Sequence, residues 1–172
     1  KIFDCTIRDG SYAVNFKFTC TDIKNIVSRQ VKLGVEYIEI GHGQGLNASS
    51  PERGESLYSD MEYIDAAMTV AKNSKIGVFC IPGIARMEDL KMAKDHGVSF
   101  IRIGVTIDNV HKAKPYLTYA KSLGLETMVN FMKSYSRSPQ RFAEGCKTAH
   151  DMGADYVYLV DSAGCMLPED IE

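Results

Sequence analysis

The sequence predicts an α/β fold in which a parallel sheet curves into part of a (β/α)8 barrel, with about six of the eight βα units in this chain. Three observations support this prediction: a short recurring motif that contains a glycine (the glycine phrase), alternating strand-like and helical segments, and charged side chains that stand between isoleucines in the strands. In each copy of the phrase a glycine opens a strand-like run, and the copies begin at Leu33, His96, Leu123 and Met152. Because glycine ends a helix in the left-handed conformation without a steric penalty, each copy predicts a helix end, a turn and a strand.

Six strand-like runs follow from this pattern. They lie near residues 2–7, 36–41, 75–80, 99–105, 126–132 and 155–161. In the first run, Asp4, Thr6 and Arg8 share one face by the period of two of a strand. In the second and fourth runs, Glu39 and Arg102 each stand between two isoleucines. A polar face opposite an apolar one suits a barrel whose interior leads to an active site, whereas the strands of a doubly wound open sheet are usually continuous apolar runs.

Helical signals fill the segments between the strands. The first helix is predicted from Thr21-Asp22 ahead of a spaced apolar series that ends at Val31, and the last from Ser138-Pro139. The predicted helices cover residues 21–31, 60–72, 87–95, 111–122 and 140–150. Because βα units in one sheet connect by right-handed crossovers, this alternation predicts consecutive parallel strands with the helices outside.

The length of the chain falls short of a complete barrel, which takes about 250 residues, whereas this chain has 172. It starts directly on a strand at Ile2, and it ends on Pro168 and acidic residues that are typical of a first helical turn. We therefore expect a single barrel domain over residues 1–172 that is truncated at its C-terminal end, with the remaining strands in a longer parent chain.

The composition is that of an ordinary globular protein and excludes several classes of function. Hydrophobic residues make up 45% and charged residues 24% of the chain, which argues against disorder. The net charge of −2, without a run of like charges, argues against nucleic acid or an anionic membrane as a partner. The five cysteines are scattered without disulfide or metal spacing, so we expect reduced thiols and a soluble, cytoplasmic protein.

Polar residues collect where the predicted strands end, which is where barrels of this class carry their chemistry. Asp9 follows the first strand beside a glycine and offers one hard oxygen ligand to Mg²⁺ or Mn²⁺. His42 lies between two glycines, where it either reaches a substrate or shapes the turn. The charged residues of the inner face have a plainer alternative role, a buried network in which they neutralise one another. The members of that network would be Asp4, Arg8, Glu39 and Arg102.

A specific motif covers the first predicted strand. The run Asp4-Cys5-Thr6-Ile7-Arg8-Asp9-Gly10 resembles the D-x-T-(L/I)-R-D-G signature of the DRE-TIM metallolyases, which include 3-hydroxy-3-methylglutaryl-CoA lyase and isopropylmalate synthase. Segments 38–46, 81–84 and 160–164 look most like the 4-hydroxy-2-oxovalerate aldolase branch, and the resemblance covers essentially the whole chain. The family's synthases usually continue the signature with Glu-Gln, where Ser11-Tyr12-Ala13 stands here, which also favours the aldolases.

This resemblance implies a TIM-barrel lyase that uses Mn²⁺ or Mg²⁺ to cleave a 4-hydroxy-2-oxo acid, such as 4-hydroxy-2-oxovalerate, into pyruvate and an aldehyde through an enolate. By position, Asp9 matches the metal-ligating aspartate and Arg8 the arginine that steadies the enolate oxygen. A cation and a guanidinium placed where this charge develops are what such a step requires. Ser162 matches a residue beside the pyruvate carboxylate, Glu39 matches the glutamate common on the second strand, and His42 is expected beside the substrate.

Two departures from the family pattern bear on catalysis. Tyr12 stands where the aldolases place a histidine that acts as general base, and an ordinary tyrosine is a poor base at neutral pH. The family's other metal ligands are a His-x-His pair on the seventh strand, and no such pair occurs in the 172 residues. Two alternatives therefore stay open: a Claisen-type acyltransferase of the isopropylmalate synthase kind, and a barrel kept as a non-catalytic binding module.

The expected partners follow from the same reasoning. The resemblance implies a small 2-oxo acid as substrate and, as is common in the aldolase branch, association with an aldehyde dehydrogenase. A six-stranded sheet leaves two exposed edges that invite pairing with another chain, so we also expect a homo-oligomer.

Overall fold

The computed structural model describes residues 2–170, in which six parallel strands form one sheet in the order β1 to β6. The strands are β1 Phe3–Asp4, β2 Tyr37–Ile40, β3 Lys75–Cys80, β4 Phe100–Val105, β5 Glu126–Phe131 and β6 Tyr156–Leu159. The α-helices are α1 Thr6–Gly10, α2 Cys20–Lys32, α3 Asp60–Met68, α4 Met87–Asp95, α5 Lys114–Ser122 and α6 Pro139–Asp151. Short 3-10 helices cover Ile107–Ala113, Ser134–Ser136 and Pro168–Asp170. The predicted alternation of strand and helix is confirmed.

The sheet is strongly curled. Phe3 lies on β1 and Tyr158 on β6, at opposite edges of the sheet, yet their ring centroids are 5.4 Å apart. In a flat sheet, five strand spacings of about 4.8 Å would separate these edges by roughly 24 Å. The inner face therefore closes on itself, which excludes the doubly wound open sheet and confirms that the six strands form part of a TIM barrel.

The hydrophobic core has two parts, one on each face of the sheet. Side chains that point outward from the strands, such as Ile38 and Ile40, are fully buried in a cluster with the helices. Side chains that point inward form a smaller cluster around Tyr37, Phe100 and Met128. The alternation of isoleucine with charged residues thus buries the isoleucines beneath the helices and leaves the charged side chains inside the barrel.

The recurring glycines end helices, as the sequence predicts. Gly34, Gly97, Gly124 and Gly153 all have a positive φ, between +71° and +98°. Any other residue would be strained in this conformation, because its Cβ would crowd the following backbone. The repeated phrase is therefore a repeated helix end.

The first strand is shorter than predicted. β1 ends at Asp4 and α1 begins at Thr6, because the Asp4 carboxylate accepts hydrogen bonds from both the backbone N–H and the hydroxyl of Thr6 and so turns the chain. Asp4 also accepts a hydrogen bond from Gln30 of α2. The expectation that Asp4, Thr6 and Arg8 share one strand face is therefore wrong, and Asp4 takes no part in the inner network of charges described below.

The helix predicted over residues 60–72 ends earlier, at Met68, and one later helix is shifted. The helix predicted over residues 111–122 begins at Lys114, after the 3-10 helix Ile107–Ala113. Pro115 explains the shift, because proline fits the first turn of a helix and breaks its interior. The turn predicted at Pro168 is a 3-10 turn, and the last two residues of the chain lie outside the described residues. No described helix combines the length and apolar character needed to cross a membrane.

Gly77 offers a test of the packing inside the barrel. It lies on β3, where a Cβ would be 2.2 Å from the ring of Phe100, which is itself fully buried. We expect Gly77→Ala to lower the free energy of unfolding by about 1–3 kcal/mol, because the ring has no room to move. Gly10→Ala is the control, since a Cβ there meets no atom within 4 Å. Urea denaturation measures both variants, and equal stabilities would contradict a closely packed inner face.

Candidate active site at the carboxyl ends of the strands

A network of charges lies inside the barrel, and its centre is the fully buried Glu39 of β2. Arg102 of β4 binds both carboxylate oxygens of Glu39, with Nε–Oε2 and Nη2–Oε1 distances of 2.7 and 2.6 Å. Arg8 of α1 donates from Nε to the same Oε1 at 2.7 Å. Arg102 also donates from Nη1 to Oδ1 of Asn130 on β5, at 2.6 Å. Two guanidiniums therefore share one buried carboxylate.

The strand register explains why these side chains fit inside the barrel. Glu39 lies opposite Gly77 across β2 and β3, and Asn130 lies opposite Gly104 across β4 and β5. A glycine thus stands beside each of these polar groups, and the ring of Phe100 fills the space at Gly77 and the ring of Phe79 the space at Gly104. The inner face of the sheet therefore carries both the polar groups and the aromatic rings that pack beside them.

The buried part of the network carries an excess of positive charge, since Arg8 and Arg102 have only Glu39 between them. The guanidinium of Arg102 lies 5.0 Å from the ring centre of Phe3 and 5.1 Å from that of Phe79, where aromatic faces favour a cation. Burial opposes the charge of Arg8, but the neighbouring Glu39 carboxylate outweighs it and raises the pKa of Arg8. Arg8 therefore stays charged, and its position suits an anionic ligand.

Asp9 lies beside Arg8 at the open end of the barrel. Its side chain is 66% exposed, and Oδ1 accepts a hydrogen bond from Arg8 Nη1 at 2.8 Å. Within residues 2–170, no group of three His, Cys, Asp or Glu side chains is arranged to hold a metal ion. The described part of the chain thus offers Asp9 as a single carboxylate ligand. A complete Mg²⁺ or Mn²⁺ site, which takes about six ligands, requires other groups.

Tyr12 stands at the same opening. Its ring packs against Gly43, where a Cβ would lie 2.3 Å from ring atom Cε2. The Gly43 carbonyl in turn accepts a weak hydrogen bond from Arg8 Nη1 at 3.4 Å. Burial raises the pKa of Tyr12 above its ordinary value, although the positive charge of Arg8 opposes this. The hydroxyl is therefore protonated at neutral pH and serves as a hydrogen-bond donor more readily than as a base.

His42 is enclosed within its loop, with 1% of its surface exposed. Its Nδ1 accepts a hydrogen bond from the backbone N–H of Gln44 at 3.0 Å, and its Nε2 lies 3.1 Å from the carbonyl oxygen of Gly54. These partners fix the neutral tautomer with the proton on Nε2, and burial lowers the pKa of His42 accordingly. Both ring nitrogens are occupied, which favours the turn-shaping role over direct contact with a substrate.

Ser162 lies in the loop after β6. Its Oγ accepts a hydrogen bond from the backbone N–H of Lys133 at 3.0 Å, which joins this loop to the one after β5. Among the described residues, no hydrogen bond links Ser162 to Arg8 or Asp9. Of the predicted site residues, hydrogen bonds join Arg8, Asp9 and Glu39, and Tyr12 reaches them through Gly43.

Two residues of this region were not among the predicted site residues. Asn130 could have been found, because it lies at even spacing from Glu126 on β5 and so shares its inward face. Phe16, whose ring stacks on His42 with centroids 4.1 Å apart, carries no signal in the sequence that would have marked it.

The loop that contains His42 is tied to α3 through Asp60, which predicts a pH dependence of stability. Asp60 accepts a hydrogen bond from the backbone N–H of Asn47 at 2.7 Å. Burial, with a contribution from the charge of Asp89, raises the pKa of Asp60 to about 6. A raised pKa means that protonation of Asp60 stabilises the folded state. This contribution to stability is complete below the ordinary pKa of 3.8 and is lost as the pH rises through about 6.

We therefore expect Asp60→Asn, which stays neutral, to gain stability relative to the unmodified protein between pH 4 and 7, by about 1–3 kcal/mol. Thermal unfolding at a series of pH values measures the difference. Asp151→Asn is the control, because Asp151 lies on the surface in an exposed ion pair with Lys147. Parallel pH profiles for Asp60→Asn and the unmodified protein would contradict the prediction.

Comparison with known proteins adds to this geometry. The whole chain, residues 1–172, matches the model of the HMGL-like family. It is 39% identical over 171 residues to a 4-hydroxy-2-oxovalerate aldolase from Geobacillus genomosp. 3, a match that covers 99% of this chain and 51% of the relative. It is also 39% identical over 169 residues to an oxaloacetate decarboxylase from Mycobacterium tuberculosis, covering 98% and 50%. The chain thus spans about half the length of these curated relatives.

Solved structures show the same fold. The N-terminal domain of a candidate aldolase from Bacteroides vulgatus superposes with a TM-score of 0.76 at 24% identity, covering 99% of this chain and 57% of that one. The carboxyl transferase domain of Rhizobium etli pyruvate carboxylase superposes with a TM-score of 0.76 at 13% identity, covering 98% and 31%. At these identities the likeness concerns the fold alone. The family match over residues 1–172 shows that the chain belongs to the HMGL-like family.

Proposed function

We propose that this chain carries the enolate-stabilising part of a divalent-metal-dependent carbon–carbon lyase that acts on small 2-oxo acids. The observation that carries the proposal is the guanidinium of Arg8, which Glu39 holds on one side and which meets Asp9 at the open end of the barrel. Cleavage of the bond between C3 and C4, one carbon away from the 2-oxo group, leaves its electron pair on C3, where the oxo group takes it up as an enolate. A fixed guanidinium where this charge develops stabilises the step. The family match and the names of the relatives support the proposal.

Each charged residue has a distinct role in this proposal. Arg8 donates from Nη2 to the oxygen that becomes the enolate oxygen, while its Nε stays hydrogen-bonded to Glu39 and its Nη1 to Asp9. Arg102 donates two hydrogen bonds to Glu39, one to each carboxylate oxygen. The carboxylate therefore cannot also form a two-pronged pair with Arg8. A bound Mn²⁺ or Mg²⁺ would add Lewis-acid stabilisation. Asp9 would be one ligand of that ion, with the others from outside the described residues.

Two substrates fit this chemistry. Retro-aldol cleavage of a 4-hydroxy-2-oxo acid such as 4-hydroxy-2-oxovalerate gives pyruvate and an aldehyde, and a base must take the proton of the 4-hydroxyl group. Decarboxylation of oxaloacetate gives the same pyruvate enolate together with CO₂, and no such base is needed. Because Tyr12 is protonated at neutral pH, oxaloacetate decarboxylation is the second candidate, and the name of the Mycobacterium tuberculosis relative supports it.

Pyruvate release distinguishes the two reactions. The chain is incubated with Mn²⁺ or Mg²⁺ and either substrate, with EDTA as the metal-free control and the spontaneous loss of CO₂ from oxaloacetate subtracted. Release from 4-hydroxy-2-oxovalerate that collapses in Tyr12→Phe would indicate an aldolase whose tyrosine moves the proton. Release from oxaloacetate that persists in Tyr12→Phe would indicate a decarboxylase.

Ligand binding tests the proposal without turnover. Oxalate is a planar dianion that resembles the pyruvate enolate, and we expect calorimetric titration to show oxalate binding that depends on Arg8. We also expect Asp9→Asn to weaken Mn²⁺ binding, since an amide offers the cation less charge than a carboxylate. If the chain neither releases pyruvate nor binds oxalate, the non-catalytic binding module becomes the better account.

Several expectations from the sequence stay predictions. These are the acyltransferase alternative, the homo-oligomer, the aldehyde dehydrogenase partner, the roles of His42 and Ser162 at the substrate, the single-domain boundaries and the cytoplasmic location.

A further inference from the structure

The segment that follows α1, residues 11–17, forms a strap over the loop between β2 and α3. Asn15 and Phe16 have φ values of 49° and 61°, a left-handed conformation that two successive non-glycine residues rarely adopt. The backbone N–H of Phe16 returns to the Ser11 carbonyl at 2.6 Å. Lys17 donates from Nζ to the Glu55 carbonyl at 2.6 Å. Such a conformation persists only where the surrounding contacts hold it.

The ring of Phe16 fixes the strap to the loop. It stacks on His42 with ring centroids 4.1 Å apart and an interplanar angle of 7°. On the loop backbone it meets Gly54, where a Cβ would lie 2.1 Å from the ring. His42 is itself held by hydrogen bonds through both nitrogens, so the surface that Phe16 meets is rigid. The buried histidine thus has a function in the loop that requires no contact with substrate.

The same ring places Tyr12. The rings of Tyr12 and Phe16 meet edge to face, with centroids 5.2 Å apart and an interplanar angle of 68°. On its other side Tyr12 packs against Gly43, whose carbonyl is bonded to Arg8. A continuous line of contacts therefore runs from His42 through Phe16 and Tyr12 to the guanidinium of the candidate site.

We propose that Phe16 and His42 are positioning residues that hold Tyr12 at the mouth of the Arg8 site, where its hydroxyl donates a hydrogen bond to the bound 2-oxo acid. The proposal rests on the proposed function for the identity of that ligand. The placement of Tyr12 rests on the ring contacts alone. Phe16 and His42 touch no substrate in this scheme and act through Tyr12.

Fluorine NMR of protein labelled with 3-fluorotyrosine reports the placement directly. The Tyr12 resonance is assigned by its loss in Tyr12→Phe, and the other tyrosine resonances show whether a variant is folded. We expect Phe16→Leu to move the Tyr12 resonance towards that of free fluorotyrosine. Hydrogen exchange at the backbone amide of residue 16 should become about tenfold faster than in the unmodified protein, since a stacked ring pair is lost. Val14→Ala is the matched control, because Val14 lies on the same strap and is exposed.

A second variant reaches Tyr12 from the other side. Gly43→Ala places a methyl group in the space that the Tyr12 ring occupies, and we expect it to shift the Tyr12 resonance without contact to Phe16. Gly10→Ala is the control and should leave the resonance in place, because a Cβ there meets no atom within 4 Å. An unmoved Tyr12 resonance in Phe16→Leu would overturn the proposal.

Kinetics test the functional half. Phe16→Leu should lower the turnover of the preferred substrate by the same factor as Tyr12→Phe, and the double variant should lose no more than either, because both changes remove one interaction. Losses that multiply in the double variant would overturn the positioning role. Failure of the proposed function is distinguishable, because no variant would then release pyruvate while the NMR result stood.

Discussion

Replacing Glu39 by glutamine is expected to lower the free energy of unfolding by about 3–5 kcal/mol. The carboxylate is fully buried and is the shared partner of Arg8 and Arg102. Glutamine keeps the size of the side chain but removes its charge, and its amide NH₂ would direct a donor at one of the two guanidiniums. Arg102 then lacks a counter-charge, and Arg8 keeps only the exposed Asp9. Urea unfolding followed by circular dichroism measures the loss.

The matched control is Glu144→Gln. Glu144 pairs with Arg141 at 3.2 Å on the surface of α6, and exposed pairs of this kind contribute about 0–1 kcal/mol. Combining Glu39→Gln with Arg102→Met removes one unpaired cation and should recover part of the loss, a non-additive result expected for residues of one network. If Glu39→Gln unfolds at the same urea concentration as Glu144→Gln, the buried network does not stabilise the fold.

The barrel could be predicted from the sequence because its signals are local. Gly34 and Gly97 each end a helix within a few residues of the strand that follows, so the glycine phrase alone fixes the order of elements. The spacing of Ile38, Glu39 and Ile40 assigns their faces without any long-range information. The polar character of one face of the strands predicts that the sheet curves into a barrel. The contact between Phe3 of β1 and Tyr158 of β6 confirms this curvature.

The first strand and the mouth of the barrel depend on distant residues, which sequence patterns do not report. β1 ends at Asp4 because the Asp4 carboxylate accepts hydrogen bonds from Thr6 and Gln30. Gln30 lies in α2, which is distant in the sequence. The sequence left two roles open for His42, and the ring of Phe16, placed by the fold, favours the structural one. Side-chain contacts between loops decide such cases.

The two interpretations of the charged residues turn out to be compatible. The plainer interpretation of Glu39 and Arg102 is a buried ionic network, and both residues lie in such a network. Arg8 lies at its border, bonded inward to Glu39 and outward to the exposed Asp9. The same network that fills the barrel thus fixes the direction of the guanidinium that the proposed chemistry needs.

Arg8→Lys tests that chemistry, and we expect it to lower the kcat of pyruvate release by about 10²–10³. Arg8 reaches Glu39 through Nε and Asp9 through Nη1 at the same time. A lysine ammonium is a point charge on a flexible stem and cannot reproduce this fork, so it stays with one carboxylate and leaves the enolate oxygen without an aligned donor. Affinity for oxalate should fall with kcat, whereas Mn²⁺ binding should change little, since Asp9 is intact.

Arg29→Lys is the control for the loss of a guanidinium, because Arg29 lies exposed in the last turn of α2. Stability must be measured beside the kinetics. Lysine keeps a positive charge next to Glu39, so the free energy of unfolding should change much less in Arg8→Lys than in Glu39→Gln, and a large loss of kcat in a stable variant then reports on the enolate. If Arg8→Lys keeps the kcat and oxalate affinity of the unmodified protein, Arg8 is only a structural partner of Glu39.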